Sequence, residues 1–93
     1  MSKRKSYENK MQAQLEELKQ EITELKGRAE KAEVNLELEY YTLIEELQLK
    51  LEETEHHLEL LKIANEQKWD EFKSELEQSW SSLRELVKAV TAP

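Results

Sequence analysis

The only histidines, His56 and His57, are adjacent, with Glu52 and Glu53 four residues before them. Residues four apart share a helix face, so each imidazole has one carboxylate beside it. Zinc takes both ligand types. Adjacent residues, however, point about a third of a turn apart, so each face offers only two ligands. A complete site would need a second chain, and a solvated polar face is the simpler account. Ser79, Ser81 and Ser82 are hydroxyl nucleophiles in need of a base. The nearest histidine, His57, precedes Ser79 by 22 residues, and along one straight helix that is about 33 Å, far beyond hydrogen-bond reach. The many glutamates have no apolar pocket to shift their proton affinity toward acid–base work. The chain has no cysteine, hence no thiolate nucleophile and no disulfide framework. No catalytic, cofactor-binding or metal-binding residue is expected, and the chain reads as non-enzymatic.

Composition points to shape. Of 93 residues, 38% are charged and 38% apolar, with a single glycine, Gly27, and a single proline, Pro93. Compact folds turn repeatedly, and turns lean on Gly, Pro and Asn. The abundant Glu, Leu, Lys, Gln and Ala favour helix, as in long helices and coiled coils. Residues 1–10 sum to +3 within a net charge of −7, which leaves an acidic body of −10. Phosphate backbones need a basic surface, so no nucleic-acid partner is expected. Apolar runs are too short to span a bilayer, and no apolar stretch follows the basic start, so a secretory signal is not expected. A cytoplasmic location is the default.

The apolar residues fall into one stripe. Met11, Leu15, Leu18, Ile22, Leu25, Ala29, Ala32 and Leu36 alternate steps of four and three, the seam of a left-handed coiled coil. Beyond Leu36 it continues through Tyr40, Leu43, Leu47, Leu51, Thr54, Leu58, Leu61, Asn65, Trp69, Phe72, Leu76, Trp80, Leu83, Val87 and Val90. Leu36, Leu47, Leu58, Trp69 and Trp80 stand eleven apart, the repeat of a nearly straight or slightly right-handed bundle. The expectation is an all-α chain: one long, nearly continuous helix over 6–90 that forms a coiled coil. It has a heptad seam over 11–36, an eleven-residue repeat over 36–90, a basic flexible tail over 1–5 and a short tail over 91–93. Ser6 is the expected N-cap. No turn residue interrupts the middle of the chain, and Gly27 reads as a soft joint within the helix, with a turn there as the rival. Thr54 and Asn65, polar residues on the seam, are candidates for fixing register.

A second stripe lies almost opposite the first. Leu38, Leu49 and Leu60 are also eleven apart, flanked by Tyr41 and Ile63. Residues 36–64 therefore offer surface for an additional helix or a protein client. The two tryptophans lie on the main stripe, so a core role is preferred. A membrane-lying helix is the alternative for Trp69–Val90. Its polar side is acidic, with Asp70, Glu71, Glu75, Glu77 and Glu85 outnumbering Lys73, Arg84 and Lys88, which disfavours anionic lipid.

The basic start with its first heptads, MSKRKSYENKMQAQLEELKQEI, the alanine-bearing RAEKAE and the closing WDEFKSELEQSWSSLRELV together resemble a family of small bacterial coiled-coil proteins, commonly labelled coiled-coil or stress-response proteins. The resemblance implies a soluble accessory protein and brings no catalytic or cofactor residues. The eleven-residue lattice is similar to apolipoprotein-type and desiccation-protection helices. The expected function is structural: self-association into a homo-oligomer through the seam, in a stress-related accessory role. The alternative is a surface-active helix that binds lipid, a granule surface or unfolding proteins.

Overall fold

The computed structural model describes residues 3–31 and 34–91. Among the described residues the chain forms three α-helices and no strand: α1 (Lys3–Lys31), α2 (Val34–Ile63) and α3 (Glu66–Thr91). The all-α expectation holds, and the single long helix does not. A helix over 6–90 would be about 125 Å long, whereas the molecule measures 50 × 20 × 20 Å. The helices, of 29, 30 and 26 residues, lie side by side. Lys19 Nζ meets Glu55 Oε2 at 3.1 Å and Lys62 Nζ donates to Gln12 Oε1 at 3.0 Å, so α1 and α2 run antiparallel. α3 reverses again along α2, where Thr54 meets Ser79, and the result is an up-down-up bundle.

The reversal between α2 and α3 takes two residues, Ala64 and Asn65. Ala64 N–H donates to the carbonyl of Leu61 at 3.2 Å and closes the end of α2. Asn65 is not a seam residue but the N-cap of α3. Its Oδ1 accepts from Lys68 N–H at 2.9 Å, and its carbonyl accepts from Lys68 and Trp69 N–H at 3.1 and 3.0 Å. A capping Asn satisfies amides that would otherwise lose their partners, so the chain turns without glycine. Gly27, the expected weak point, lies inside α1 with no positive φ, which rules out a turn there. α1 already runs at Lys3, so Ser6 is not its cap and Lys3–Lys5 belong to the helix rather than to a tail. Ala32 and the side chain of Leu36 lie outside the described residues.

The stripe expected to join separate chains is instead shared among three helices of one chain. Met11, Leu15, Leu18, Ile22, Leu25 and Ala29 of α1, Leu47, Leu51, Leu58 and Leu61 of α2, and Leu76, Leu83 and Val87 of α3 form one buried cluster, with Tyr40, Trp69, Phe72, Trp80 and Val90 partly buried against it. α2 sits between two neighbours, so its buried face is wider than one stripe. Ile44, off the seam, is buried, while Leu43 is only half-buried. Each aliphatic side chain removed from water contributes about 1.5–3 kcal/mol. One core layer is polar. Thr54 Oγ1 donates to the Lys50 carbonyl at 2.8 Å, which uses its only proton, so Ser79 donates to Thr54 across 2.6 Å. This pair satisfies two buried hydroxyls at once.

A Cβ built on Gly27 meets nothing within 4 Å. Gly27→Ala should therefore stabilise the bundle by about 0.5–1 kcal/mol, a rise of several degrees in thermal midpoint for a domain of this size. Asn65→Ala should destabilise it by about 1 kcal/mol through loss of the cap. Thermal unfolding followed by circular dichroism checks both.

Candidate interaction surface

Once the core is filled, one extended apolar face remains among the described residues. Leu38 is 75% exposed, Leu49 67% and Ile63 80%, with Tyr41 exposed and Leu60 half-buried beside them. An eleven-residue step is three turns plus about 20°, so Leu38, Leu49 and Leu60 drift only slightly along α2. They stand on the side away from Leu47 and Leu58, which are fully buried. Glu45, Glu52, His56 and Glu59, all exposed, are interspersed among them. Large apolar side chains grouped on one exposed face mark interaction surfaces more often than chance decoration. Leu49 also borders an open groove of about 630 Å³ between α2 and α3, which Leu86 and Ser82 line from the far side.

The same reversal alters the surroundings of the serines. On one straight helix His57 is remote from them. In the bundle His57, Glu53, Ser79 and Ser82 line one open groove of about 240 Å³. Ser79 is committed to Thr54, and His57 Nε2 stands 4.0 Å from Glu53 Oε1. No hydrogen bond among the described residues joins His57 to a serine. His56 and His57 have ring centroids 6.5 Å apart at 54°, and among the described residues no cluster of three or more His, Cys, Asp or Glu side chains is arranged to hold a metal ion. No helix is long and apolar enough to cross a membrane, again among the described residues.

The end of the bundle where α1 starts is closed by polar and aromatic groups. Arg4 Nη2 donates to the carbonyls of Leu61 and Lys62, both at 3.1 Å, and so caps the C-terminus of α2. A cation there also complements the helix dipole. Arg4 Nε donates to Glu8 Oε2 at 3.0 Å, and Trp69 Nε1 donates to the same oxygen at 3.3 Å. Glu8, only 5% exposed, is thus a buried charge with its partners in place. Tyr7 meets Trp69 edge-on at 5.6 Å, and Lys73 Nζ lies 4.8 Å from the Tyr7 ring and 5.6 Å from Trp69. Trp69 is therefore seated against α1 of its own chain. Trp80 shares a recess with Gln14, Leu18 and Arg84. The clasp was not visible in the heptad pattern. Its only sequence signal was a pair of residues, Tyr7 and Glu8, that the stripe does not need.

Burial, then the hydrogen bond donated to Glu77 Oε1 at 3.0 Å, raise the Tyr7 phenol well above its ordinary range. Lys19 is raised too, chiefly by its hydrogen bond to Glu55. Raised values mean that the folded state keeps protons the unfolded chain releases. The stability these groups contribute is complete below pH about 10 and is lost as pH climbs toward the folded values. Tyr7→Phe should flatten the loss of stability between about pH 9 and about pH 11, leaving the smaller slope from half-buried Lys19. Urea unfolding at those two pH values reads the difference, and an unchanged slope contradicts the assignment to Tyr7.

No family model, curated protein or solved structure matches this chain.

Proposed function

We propose that this chain is a non-enzymatic interaction module, a self-covered three-helix bundle that associates through the outer face of α2. The observation that carries the reading is the exposure of Leu38, Leu49 and Ile63 on one helix whose opposite face is fully packed. Supporting it, the main stripe is already satisfied within the chain, so association through the seam would first require unfolding the bundle. The second face is available without any such cost. Fully burying one such aliphatic side chain is worth about 1.5–3 kcal/mol, which works against the translational and rotational cost of association. A stress-related accessory role would act through associations of this kind.

The surface-active alternative demands more of the fold. The face of α3 that would meet lipid carries Leu76, Leu83 and Val87, all buried. Lipid binding through α3 would therefore require the helix to leave the bundle, and Trp69 and Trp80 would report it.

The test is sedimentation velocity over a concentration series. The wild-type chain, 11.1 kDa, should move toward larger species in the micromolar range. Leu38→Glu/Leu49→Glu/Ile63→Glu should stay monomeric at tenfold higher concentration with unchanged helicity and melting. A wild-type chain that stays monomeric at several hundred micromolar contradicts self-association. A tryptophan emission shift that appears only with anionic vesicles favours the surface-active alternative.

A further inference from the structure

Part of the exposed face of α2 complements itself when reversed, and this bears on what covers it. We infer that its partner is a second copy of the same face, docked antiparallel about a two-fold axis beside residues 50 and 51. The inference rests on the reading of α2 as the association surface and adds the identity and direction of the partner. Laid antiparallel about that point, each residue meets the one whose number complements its own to 101. Leu38 then faces Ile63, both strongly exposed. Glu45 faces His56, also both exposed. Leu60 meets Tyr41, and the two copies of Leu49 flank the axis, each level with Glu52 of the other copy. A surface that serves as its own complement in this way is the requirement for a closed two-fold dimer.

Charge decides between the two directions. A parallel, in-register pair would set Glu45, Glu52 and Glu59 each against its own copy, three like-charged contacts along one seam. The antiparallel pair leaves one such approach, the two copies of Glu52 beside the axis, and sets the Glu45 carboxylate against the His56 imidazole twice, by symmetry; an imidazole N–H donates to a carboxylate in either protonation state. Like charges facing across a seam are penalised, and complementary ones set orientation.

Size decides the strength. From Leu38 to Ile63 the face runs about 37 Å at 1.5 Å per residue. With a contact strip about 10 Å wide, two copies cover on the order of 750 Å², below the range of stable complexes and in that of weak, transient ones. The two copies also carry −7 each, which opposes association. The expected product is a weak, reversible dimer, not a permanent one.

The natural chain contains no cysteine, so single cysteines report orientation cleanly. Leu38→Cys and Ile63→Cys are prepared as full chains, one of them isotopically labelled, and oxidised mildly above the dissociation constant. The expected result is a mixed disulfide from the two variants together and only background dimer from either alone, since in the antiparallel pair like positions are about 37 Å apart. Cross-linking of Leu38→Cys with itself overturns the antiparallel inference and leaves the α2 surface standing. A wild-type dimer with no cross-link in any combination overturns it likewise, and a monomeric wild-type chain overturns both. As an independent check, Glu45→Lys should weaken the dimer about tenfold, and adding His56→Glu should restore it. Failure of that rescue removes the Glu45–His56 pairing.

Discussion

The constraint on which the structure rests is that three apolar stripes, one per helix, must be taken out of water together. No single stripe can be left wet on a chain that is 38% charged and only 38% apolar. Two ways of covering them exist, another chain or the chain's own neighbouring helices. A short connection keeps those neighbours at an effective concentration of the order of millimolar. Covering the stripe within one chain also avoids the translational and rotational cost of association. Folding back therefore wins wherever the chain can reverse in a few residues, and Ala64–Asn65 shows that two residues suffice.

Once the chain folds back, the remaining features take their places. The reversal places the start of α1 beside the end of α2 and the start of α3. Arg4, Tyr7 and Glu8 can then close that end of the bundle around Trp69. It also makes α2 the central helix, with neighbours on two sides. This explains why Ile44 is buried although it falls off the seam. The layer formed by Thr54 and Ser79 is tolerated because each hydroxyl finds the other. A hydroxyl left alone in that layer would cost about 1–3 kcal/mol.

The functional reading follows from the same distribution of surfaces. A coiled-coil seam open to other chains and a bundle core are written in the same residues, but they leave different surfaces free. In the bundle the main stripe is spent, and the only extended apolar surface seen among the described residues is the outer side of α2, carrying Leu38, Leu49 and Ile63. A module of this kind keeps its fold whether or not it is associated, because the two surfaces lie on opposite sides of one helix. Under the proposed reading, association would be weak and reversible without loss of structure.

Helicity, many of the buried stripe residues, such as Leu15, Leu47 and Leu83, and the exposure of Leu38, Leu49 and Ile63 were legible in the sequence alone. They depend on local propensity and on the spacing of apolar side chains, which any helix displays whatever its neighbours. The path of the chain was not legible. The eleven-residue spacing runs unbroken from Leu58 to Trp69, yet the helix stops between them, because each helix turns its own stripe toward the shared core and a two-residue reversal can preserve the phase. Asn65 carried the signal, being a capping residue followed by an acidic Glu66, but its place on the stripe hid it. The surroundings of His57 and the serines, the burial of Glu8 and the seat of Trp69 likewise depended on the fold. All are long-range consequences of which helices lie side by side, a choice set by chain reversal and the entropy of association rather than by the pattern itself.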